Sequence, residues 1–393
     1  MQDRLSGQAA HAPSGPLAGC RIVEFGTVGP VPYAAMLLAD MGATVIRIDR
    51  VGAVDLGIGR DWRFETTRRH RRSIRLDLKS PAAVAIAADL IAGSDALVEG
   101  FRPGVMERLG LGPEVFADRN PRLVYGRMTG WGQDGPLAPK AGHDLNYLAL
   151  SGALHSIGHR GQPPAIPLNF VADFGGGSLF LALGVVAALL EAAKSGRGQV
   201  VDCAMIDGVS SLMTSLYGIM AAGQWNDQRG TNATDGGSPW YTTYETLDGR
   251  HVAVAAVEGR FYAELLTLLD LADQALPGQH DRAGWPVLRA RFAAAFRTRT
   301  RDAWTQAAEA LDACVTPVLT PAEATADPHL RARGAHVDVA GIVHPAPAPR
   351  FGRTPAAPPA LPVQPGADTD MLLAELGLAP ARIADLRREG AVA

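Results

Sequence analysis

The sequence is poor in cysteine. Its 393 residues include three cysteines, Cys20, Cys203 and Cys314, which are widely spaced and odd in number. Neither a disulfide framework nor a cysteine metal site can be read from that spacing. Scattered thiols are typical of a reducing compartment, so we predict a cytoplasmic protein without a bound metal.

The sequence also lacks a strong excess of charge of either sign. The formal net charge is −3, and there is no long basic stripe of the kind that binds nucleic acid. We therefore expect no nucleic-acid partner. The first residues, "MQDRLSGQAAHAPSG", lack the apolar core of a signal peptide, so we predict a flexible tail over 1–14.

Long hydrophobic runs are scarce as well, and one segment imitates a membrane span. Its continuous apolar part, 179–190, is shorter than the roughly 20 residues that cross a bilayer. Three glycines precede this run and Glu191 ends it. We therefore predict a buried helix and no membrane association.

What the sequence does contain is an alternation of strand-like and helix-like segments from residue 15 to about 203. Runs such as "RIVEF" and "TVIRID" alternate with apolar helical runs such as "PAAVAIAADLIAGS". This predicts an α/β fold with a parallel sheet covered by helices on both faces. Farther along, "YTTYETLDGRHVAVAAV" predicts a β-hairpin that turns at Asp248-Gly249. Helical patterns follow it, so we predict a second, smaller α+β domain.

The first strand–helix–strand unit lacks the fingerprint of a dinucleotide site. Its loop, "GTVGPVP", has no G-x-G-x-x-G spacing, although Asp49 lies where a ribose-binding acid would be expected. Arg47 and Arg50 flank Asp49, and arginine suits a phosphate better than a free diol. A ligand with a phosphorylated ribose, such as coenzyme A, is therefore favoured over a nicotinamide cofactor.

Several longer segments together resemble one known family. They are "GPLAGCRIVEFGTVGPVPYAAMLLADMGATVIRIDR", "LVEGFRPGVMERLGLGP", "RMTGWGQDGPLAPKAGHDLNYLALSGAL", "LNFVADFGGGS", "GQVVDCAMIDG", "DGGSPWYTTYETLDGRHVAVAAVE" and "DACVTPVL". No single segment is specific, but together they cover most of residues 15–370. On these segments the chain resembles the family III CoA-transferase (CaiB/BaiF) superfamily, and within it the branch of α-methylacyl-CoA racemases.

The resemblance implies a Rossmann-like large domain, a smaller α+β domain and long linkers, with two chains interlocked as a homodimer. The resulting bounds are a tail at 1–14, a large domain at 15–203 completed by 350–393, a linker at 204–237, a small domain at 238–335 and a second linker at 336–349.

Two side chains in these segments suit a reaction that inverts a carbon centre. A thioester acidifies the hydrogen on its α-carbon, and inversion needs one group to remove that proton and another to return one to the opposite face. His143, in "AGHDLNYLALSG", is a suitable base near neutral pH. Asp173, in "LNFVADFGGGSLF", can be the acid only if its apolar neighbours raise its pKa.

Both residues are predicted to begin helices, whose N-terminal N–H groups favour negative charge. This helps to keep His143 neutral, and the glycines after Asp173 would let an enolate oxygen approach those N–H groups. The same effect lowers the pKa of Asp173, so burial has to outweigh it. By position alone, His143 could be a surface or capping group and Asp173 a helix N-cap. The resemblance assigns catalysis to both, and it assigns Glu258 of the second chain to orient His143.

The resemblance implies a CoA thioester as substrate, so coenzyme A is part of the substrate and no separate cofactor is expected. Arg50, Lys79 and Arg102 match positions that contact the phosphates, and the basic run "RRHRRSIR" (68–75) would help to attract the anion. Met205, Met213 and Met220 either line the path of the acyl chain or pack as ordinary core. The other positions assigned to CoA or substrate are Val28, Leu76, Leu78, Glu99, Gly100, Gly142, Asp144 (also a candidate helix cap), Leu145, Asn146 and Tyr147.

The resulting hypothesis is an isomerase of lipid metabolism that interconverts (2R)- and (2S)-2-methylacyl-CoA through an enolate. The alternative is a family III CoA-transferase in which Asp173 attacks the acyl-CoA and forms an anhydride, a reaction that does not need His143. A non-catalytic acyl-CoA carrier and a nicotinamide-dependent dehydrogenase are further alternatives from other functional classes.

Overall fold

The computed structural model describes residues 14–52 and 59–393. Residues 1–13 of the predicted tail lie outside the described residues. The chain divides into two compact units. Unit 1 contains the described residues up to Leu148, together with Asn169–Leu212 and His329–Ala393, and unit 2 contains Ala149–Leu168 and Met213–Pro328. The segment 149–168, assigned from the sequence to the large domain, thus groups with unit 2.

A parallel sheet forms the centre of unit 1. In the described part of the chain it has six strands in the order β3-β2-β1-β4-β5-β6, and every neighbouring pair is parallel. This order places the first strand, β1, in the middle of the sheet, as in doubly wound nucleotide-binding folds. It confirms the predicted parallel α/β architecture. The strands are β1 (Arg21–Phe25), β2 (Thr44–Arg50), β3 (Arg71–Leu76), β4 (Ala96–Glu99), β5 (Val124–Thr129) and β6 (Val200–Ala204).

Helices follow most of these strands. In chain order they are α1 (Pro30–Asp40), α2 (Pro81–Ala92), α3 (Val105–Arg108), α4 (Asp144–Leu150), α5 (Ala153–Ser156), a π-helix (Phe170–Ser178), α6 (Leu179–Ser195), α7 (Met205–Leu212), α8 (Thr214–Ala221), α9 (Gly259–Leu268), α10 (Trp285–Phe296), α11 (Arg301–Ala308), α12 (Pro321–Ala326), α13 (Pro328–Ala332), α14 (Thr369–Glu375) and α15 (Pro380–Arg388). Short 3-10 helices occur at Trp62–Phe64, Thr66–Arg68 and Pro113–Phe116.

The π-helix and α6 form one continuous apolar helix over Phe170–Ser195. Its 26 residues are long and apolar enough to cross a membrane by length and composition, and 44% of its most apolar window is buried in the protein. Leu181 and Val185 pack against Gly126 of β5, where a Cβ atom would lie 3.1–3.2 Å from them. One face of this helix therefore belongs to the core of unit 1.

Unit 2 has its own antiparallel sheet and its own core. Strands β7 (Tyr241–Glu245) and β8 (His251–Ala255) form the predicted hairpin, and β9 (Val315–Pro317) pairs with β8. Gly249 has a φ of 71°, which explains why the sequence places glycine in this turn. The aromatic side chains of Phe292, Phe296 and Trp304 are fully or almost fully buried behind the sheet.

A second hairpin lies where the sequence predicts a linker. Strands β10 (His336–Val339) and β11 (Ile342–Pro345) pair antiparallel within the predicted linker 336–349. Their turn residues, Ala340 and Gly341, both have positive φ, as a two-residue type I′ turn requires. The alternating valines of "HVDVAGIVHP" are the sequence signal for this hairpin.

Candidate active site

A cavity of about 260 Å³ opens at the carboxyl ends of β1, β4 and β5 in unit 1. Ligands of open α/β sheets bind at this edge, where the loops after the strands converge. The cavity is lined by seven of the residues predicted for the site: Val28, Gly100, Arg102, Gly142, His143, Tyr147 and Asp173. The proposed base and the proposed acid therefore line one cavity.

Asp173 is the fourth residue of the π-helix, and its carboxyl group is partly buried. Burial raises its pKa above the ordinary value, and the negative charge of Asp144 adds to this effect. A hydrogen bond from Asn169 Nδ2 to Asp173 Oδ2 (3.3 Å) and the charge of His143 act in the opposite direction. Burial has the largest effect, so the environment favours the protonated acid.

The backbone at Gly29 lies against the carboxyl group of Asp173. A Cβ atom at Gly29 would lie 3.5 Å from Asp173 Oδ2, and Gly29 has a φ of 75° and a ψ of −124°. An L-residue rarely adopts this conformation, so glycine is required where the chain enters α1. The loop after β1 thereby forms one wall beside the acid.

His143 immediately precedes α4 and is exposed. Its backbone N–H donates to Asn146 Oδ1 (3.0 Å), and its carbonyl accepts from Asn146 N (2.8 Å). These bonds fix the backbone at the start of the helix. The charge of His143 influences the pKa of Asp173, which is consistent with two groups that face one small cavity.

Asp144 caps a different helix from the one that the sequence suggests. Its Oδ2 accepts hydrogen bonds from the N–H groups of Ala172 (2.9 Å) and Asp173 (2.8 Å), at the start of the π-helix. It therefore ties the segment of the base to the segment of the acid. Among the described residues, no donor reaches its other oxygen, Oδ1, which is buried.

The glycines after Asp173 allow close packing of helices. A Cβ atom at Gly176 would lie 2.8 Å from the backbone nitrogen of Val209 in α7, and one at Gly208 would lie 1.8 Å from the carbonyl oxygen of Gly176. In a π-helix the N–H groups beyond the first turn bond to carbonyls five residues back. The N–H groups of these glycines are therefore used within the helix, and the approach of an enolate oxygen to N–H groups at the helix start stays a prediction.

Tyr147 packs into a slot with no room for larger neighbours. A Cβ atom at Gly130 would lie 2.2 Å from its hydroxyl, and one at Gly142 would lie 2.8 Å from its ring. The ring meets that of Trp131 edge to face, with centroids 4.7 Å apart. Burial and the charge of Asp173 raise the pKa of Tyr147 to about 12, so its hydroxyl stays protonated and can donate into the cavity.

Several predicted CoA-binding side chains do not line this cavity. Glu99 is buried and pairs with Arg127 (3.1 Å), and burial raises its pKa to about 7. Leu76 is also buried, and its backbone bridges to Val392. These two residues end β4 and β3, so they lie at the correct edge of the sheet with their side chains in the core. Leu78, Asp144, Leu145 and Asn146 are likewise absent from the lining.

The cations near the cavity are only partly those predicted. Arg102 lines it, and the guanidinium of Arg50 lies 5.8 Å from the ring centroid of Phe101, which also lines it. Lys79 is exposed just after β3 and is not part of the lining. Lys140 lines the cavity and was missed, because a single lysine in the loop "GPLAPKAGHD" carries no distinguishing pattern.

Three arginines of the basic run 68–75 are engaged by buried acids. Arg68 pairs with Asp49 (2.8 Å), Arg69 with Asp40 (2.6 Å) and Arg71 with Glu24 (2.9 Å). These groups are buried. These three arginines therefore neutralise buried acids and are not free to attract the ligand.

Arg47, which flanks Asp49 in the sequence, is also held in ion pairs with buried acids. Arg47 is buried between Glu24 and Asp49, with its Nε 2.9 Å from Asp49 Oδ1, so it is not free to bind a phosphate. Asp49 also accepts from Ser73 Oγ (2.7 Å). Its carboxylate is therefore not free to bind a ribose either.

Glu258 lies in unit 2, where it is exposed and directly precedes α9. Its role beside His143 stays a prediction.

Of the three methionines considered, Met205 lines the cavity, whereas Met213 and Met220 belong to unit 2. Within 14–52 and 59–393, no cluster of three or more His, Cys, Asp or Glu side chains could hold a metal ion.

Comparison with known proteins places this chain in a family. A model of CoA-transferase family III matches residues 17–369. Alpha-methylacyl-CoA racemase of Mus musculus is 46% identical over 345 residues, which span 88% of each chain. The Homo sapiens protein of the same name is 44% identical, over 87% of this chain and 88% of that one. A crystal structure of a CaiB/BaiF family protein from Brucella suis shares the fold, with a TM-score of 0.79 at 24% identity over 92% of this chain and 100% of that one. The chain belongs to CoA-transferase family III.

Proposed function

We propose that this chain is an α-methylacyl-CoA racemase, an isomerase that interconverts (2R)- and (2S)-2-methylacyl-CoA thioesters. Two relatives of that name, at 46% and 44% identity over most of the chain, support this activity. The observation that connects this activity with the site is that His143 and Asp173 line one cavity and that burial raises the pKa of Asp173. An imidazole and a protonated carboxyl group are the two proton carriers that an inversion needs.

The proposed reaction is a 1,1-proton transfer. Neutral His143 takes the α-proton from one face of the thioester, and the electron pair of the C–H bond moves into an enolate. The carboxyl group of Asp173 then gives its proton to the opposite face of the same carbon. The products are the inverted thioester, an imidazolium and a carboxylate, and the reverse reaction uses the same groups with their roles exchanged.

Coenzyme A is part of the substrate, so the reaction needs no separate cofactor. Arg102 and Lys140 on the cavity, with Arg50 beside it, are the cations that support binding of the CoA phosphates. Lys79, just after β3, remains a proposed contact farther along the ligand.

The proposed cellular location of the protein is the cytoplasm.

We further propose that the chain works as a homodimer, in which Glu258 of the second copy orients His143. An exposed apolar stripe on α6 supports association. Leu179, Leu183 and Leu190 are 51–66% exposed, and their spacing puts them on one face of the helix. An apolar surface of this kind is typical of an interface between subunits.

The second candidate function is CoA transfer, which the family name describes. It would use Asp173 as a nucleophile, and only an ionised carboxylate can attack a thioester. The raised pKa of Asp173 disfavours that form, whereas it suits a proton donor. His143 on the same cavity also has no role in the transferase reaction.

Deuterium uptake tests the proposal. Full-length protein is incubated in D₂O with a panel of 2-methylacyl-CoA thioesters and no acceptor acid, and deuterium at the α-carbon is followed by mass spectrometry. We expect uptake with loss of stereochemical purity, and we expect His143→Ala to abolish inversion. CoA transfer to an added acid that survives His143→Ala, without deuterium uptake, would establish the transferase. Binding without either reaction would indicate a carrier.

A further inference from the structure

Asp144 is the one described side chain that joins the segment of the base to the segment of the acid through hydrogen bonds at the start of the π-helix. It follows His143 in the sequence, is only 7% exposed, and its Oδ2 accepts from the N–H groups of Ala172 and Asp173. Both bonds are 2.8–2.9 Å long, as expected for a carboxylate acceptor. Any shift of one segment relative to the other would stretch them.

These bonds also change the electrostatics of the acid. Free N–H groups at the start of a helix carry a partial positive charge, which stabilises a carboxylate nearby and lowers its pKa. Here two of those N–H groups are occupied by the carboxylate of Asp144. Within the described residues, no donor forms a hydrogen bond to the buried Asp144 Oδ1. The negative charge of Asp144 therefore acts on Asp173 and disfavours a second negative charge beside it.

The other charged or titratable groups around Asp173 are few. His143 faces it from the start of α4, and Tyr147 faces it from the same helix. Arg102 and Lys140 line the cavity from the loops after β4 and β5. The hydrogen bond from Asn169 and the charge of His143 favour the ionised acid, whereas burial and the charge of Asp144 oppose it.

We propose that Asp144 is a positioning residue that holds Asp173 across the cavity from His143 by occupying the N-terminal N–H groups of the π-helix. Its negative charge adds to burial in disfavouring the ionised form of Asp173, the form that cannot return a proton to the substrate. The inference rests on the proposed racemase function and assigns a role to a residue that touches neither the cavity nor the reacting carbon.

The test compares Asp144→Asn with Asp144→Ala in the full-length protein. Asparagine keeps an oxygen that can accept both N–H groups but removes the charge, whereas alanine removes both. We expect Asp144→Asn to lower the pKa of Asp173, measured by a carboxyl ¹³C NMR titration. Inversion in the direction that needs protonated Asp173 should slow roughly tenfold for each unit by which that pKa falls. Asp144→Ala should slow exchange further, by roughly 100-fold, because the acid is also misplaced.

Asp95→Asn is the matched control. Asp95 Oδ2 also accepts a backbone N–H, that of Arg21 (2.8 Å), but at the opposite, amino-terminal edge of the sheet. This variant should leave the pKa of Asp173 and the pH profile of exchange unchanged. The inference is overturned if Asp144→Asn titrates and exchanges like the wild type. Failure of the wild type to exchange any 2-methylacyl-CoA would instead overturn the proposed function, and the NMR titration still decides the role of Asp144.

Discussion

At the scale of single residues, the behaviour of Asp173 follows from its surroundings. The apolar letters on both sides of it predict burial, and burial is the largest cause of its raised pKa. Its other neighbours, Gly29, Asn169 and Asp144, could not be assigned to it from the sequence. Gly29 and Asp144 are far from it along the chain, and only the fold brings them to the carboxyl group.

The raised pKa of Asp173 predicts a cost in stability that grows with pH. The unfolded carboxyl group titrates at about 3.9, and the folded one titrates higher. Between these two values the folded state binds more protons, so the free energy of unfolding falls as the pH rises. Asp173→Asn should therefore become progressively more stable than the wild type as the pH rises from about 4 through the raised pKa of the folded carboxyl group. Melting temperatures across this range measure the effect.

Gln228→Ala serves as a control, because this exposed side chain lies in unit 2 and carries no titratable group. It should show no such pH-dependent gain. A constant difference in melting temperature between Asp173→Asn and the wild type, at all pH values, would show that the carboxyl group is not perturbed by folding.

The basic run 68–75 shows where reasoning from single residues fails. Its arginines look like a surface for anions, because the sequence does not reveal their partners. Glu24, Asp40 and Asp49 lie 19–47 residues away from the arginines with which they pair. Strands β1 and β2, the end of α1 and the segment that leads into and begins β3 bring these charges together, and isolated charges would be too costly to bury.

At the scale of elements, the strands of unit 1 and the hairpin β7–β8 were predictable because their patterns are local. Apolar β-rich runs and the Asp248-Gly249 turn each act over a few residues. The hairpin β10–β11 was missed because a proline-rich neighbourhood dominates the composition there. The π-helix was missed because its sequence has the apolar pattern of an ordinary helix start.

The packing of α7 on the π-helix predicts the effect of adding one methyl group. The Cβ atom of Gly208→Ala would lie 1.8 Å from the carbonyl oxygen of Gly176, so one helix has to move. We expect a loss of roughly 1–3 kcal/mol in the free energy of unfolding, as for other overpacked cores. The shift also displaces Asp173, so deuterium uptake should fall more than the binding of substrate. Denaturant titration and exchange kinetics measure the two effects.

Gly218→Ala is the control, because it lies inside α8 and its Cβ atom would meet nothing within 4 Å. Alanine there should stabilise the helix by about 0.5–1 kcal/mol. If Gly208→Ala is as harmless as Gly218→Ala, the two helices do not pack as described.

At the scale of the whole molecule, the sequence predicts the class of fold, and that class in turn indicates the edge of the sheet that carries the site. Strand–helix alternation predicts a parallel sheet, and a parallel sheet places its site at the carboxyl ends of the strands. Which side chains reach the cavity was harder to predict. Gly100 and Arg102, in the loop after β4, line the cavity. Glu99, the last residue of β4, has its side chain buried in the core instead.

The exposed apolar stripe on α6 predicts that self-association depends on this helix. Leu183→Glu places a charge on a side chain that is 66% exposed in the single chain. If this face is covered in a dimer, the dimer dissociation constant should rise at least about tenfold, equivalent to about 1.4 kcal/mol. Sedimentation equilibrium over a range of concentrations measures it. Leu247→Glu, at a side chain that is 63% exposed in the turn between β7 and β8, should leave the constant unchanged. Equal dissociation of both variants would place the interface elsewhere.

The central claim is that His143 and Asp173 serve opposite faces of one carbon, and epimer-specific exchange tests it most directly. Each pure epimer of a 2-methylacyl-CoA is incubated in D₂O with His143→Ala and, separately, with Asp173→Asn. Neither variant should invert the centre, and each should take up deuterium from one epimer only, a different epimer for each variant. Uptake from the same epimer in both variants, or inversion by either one, would contradict the account.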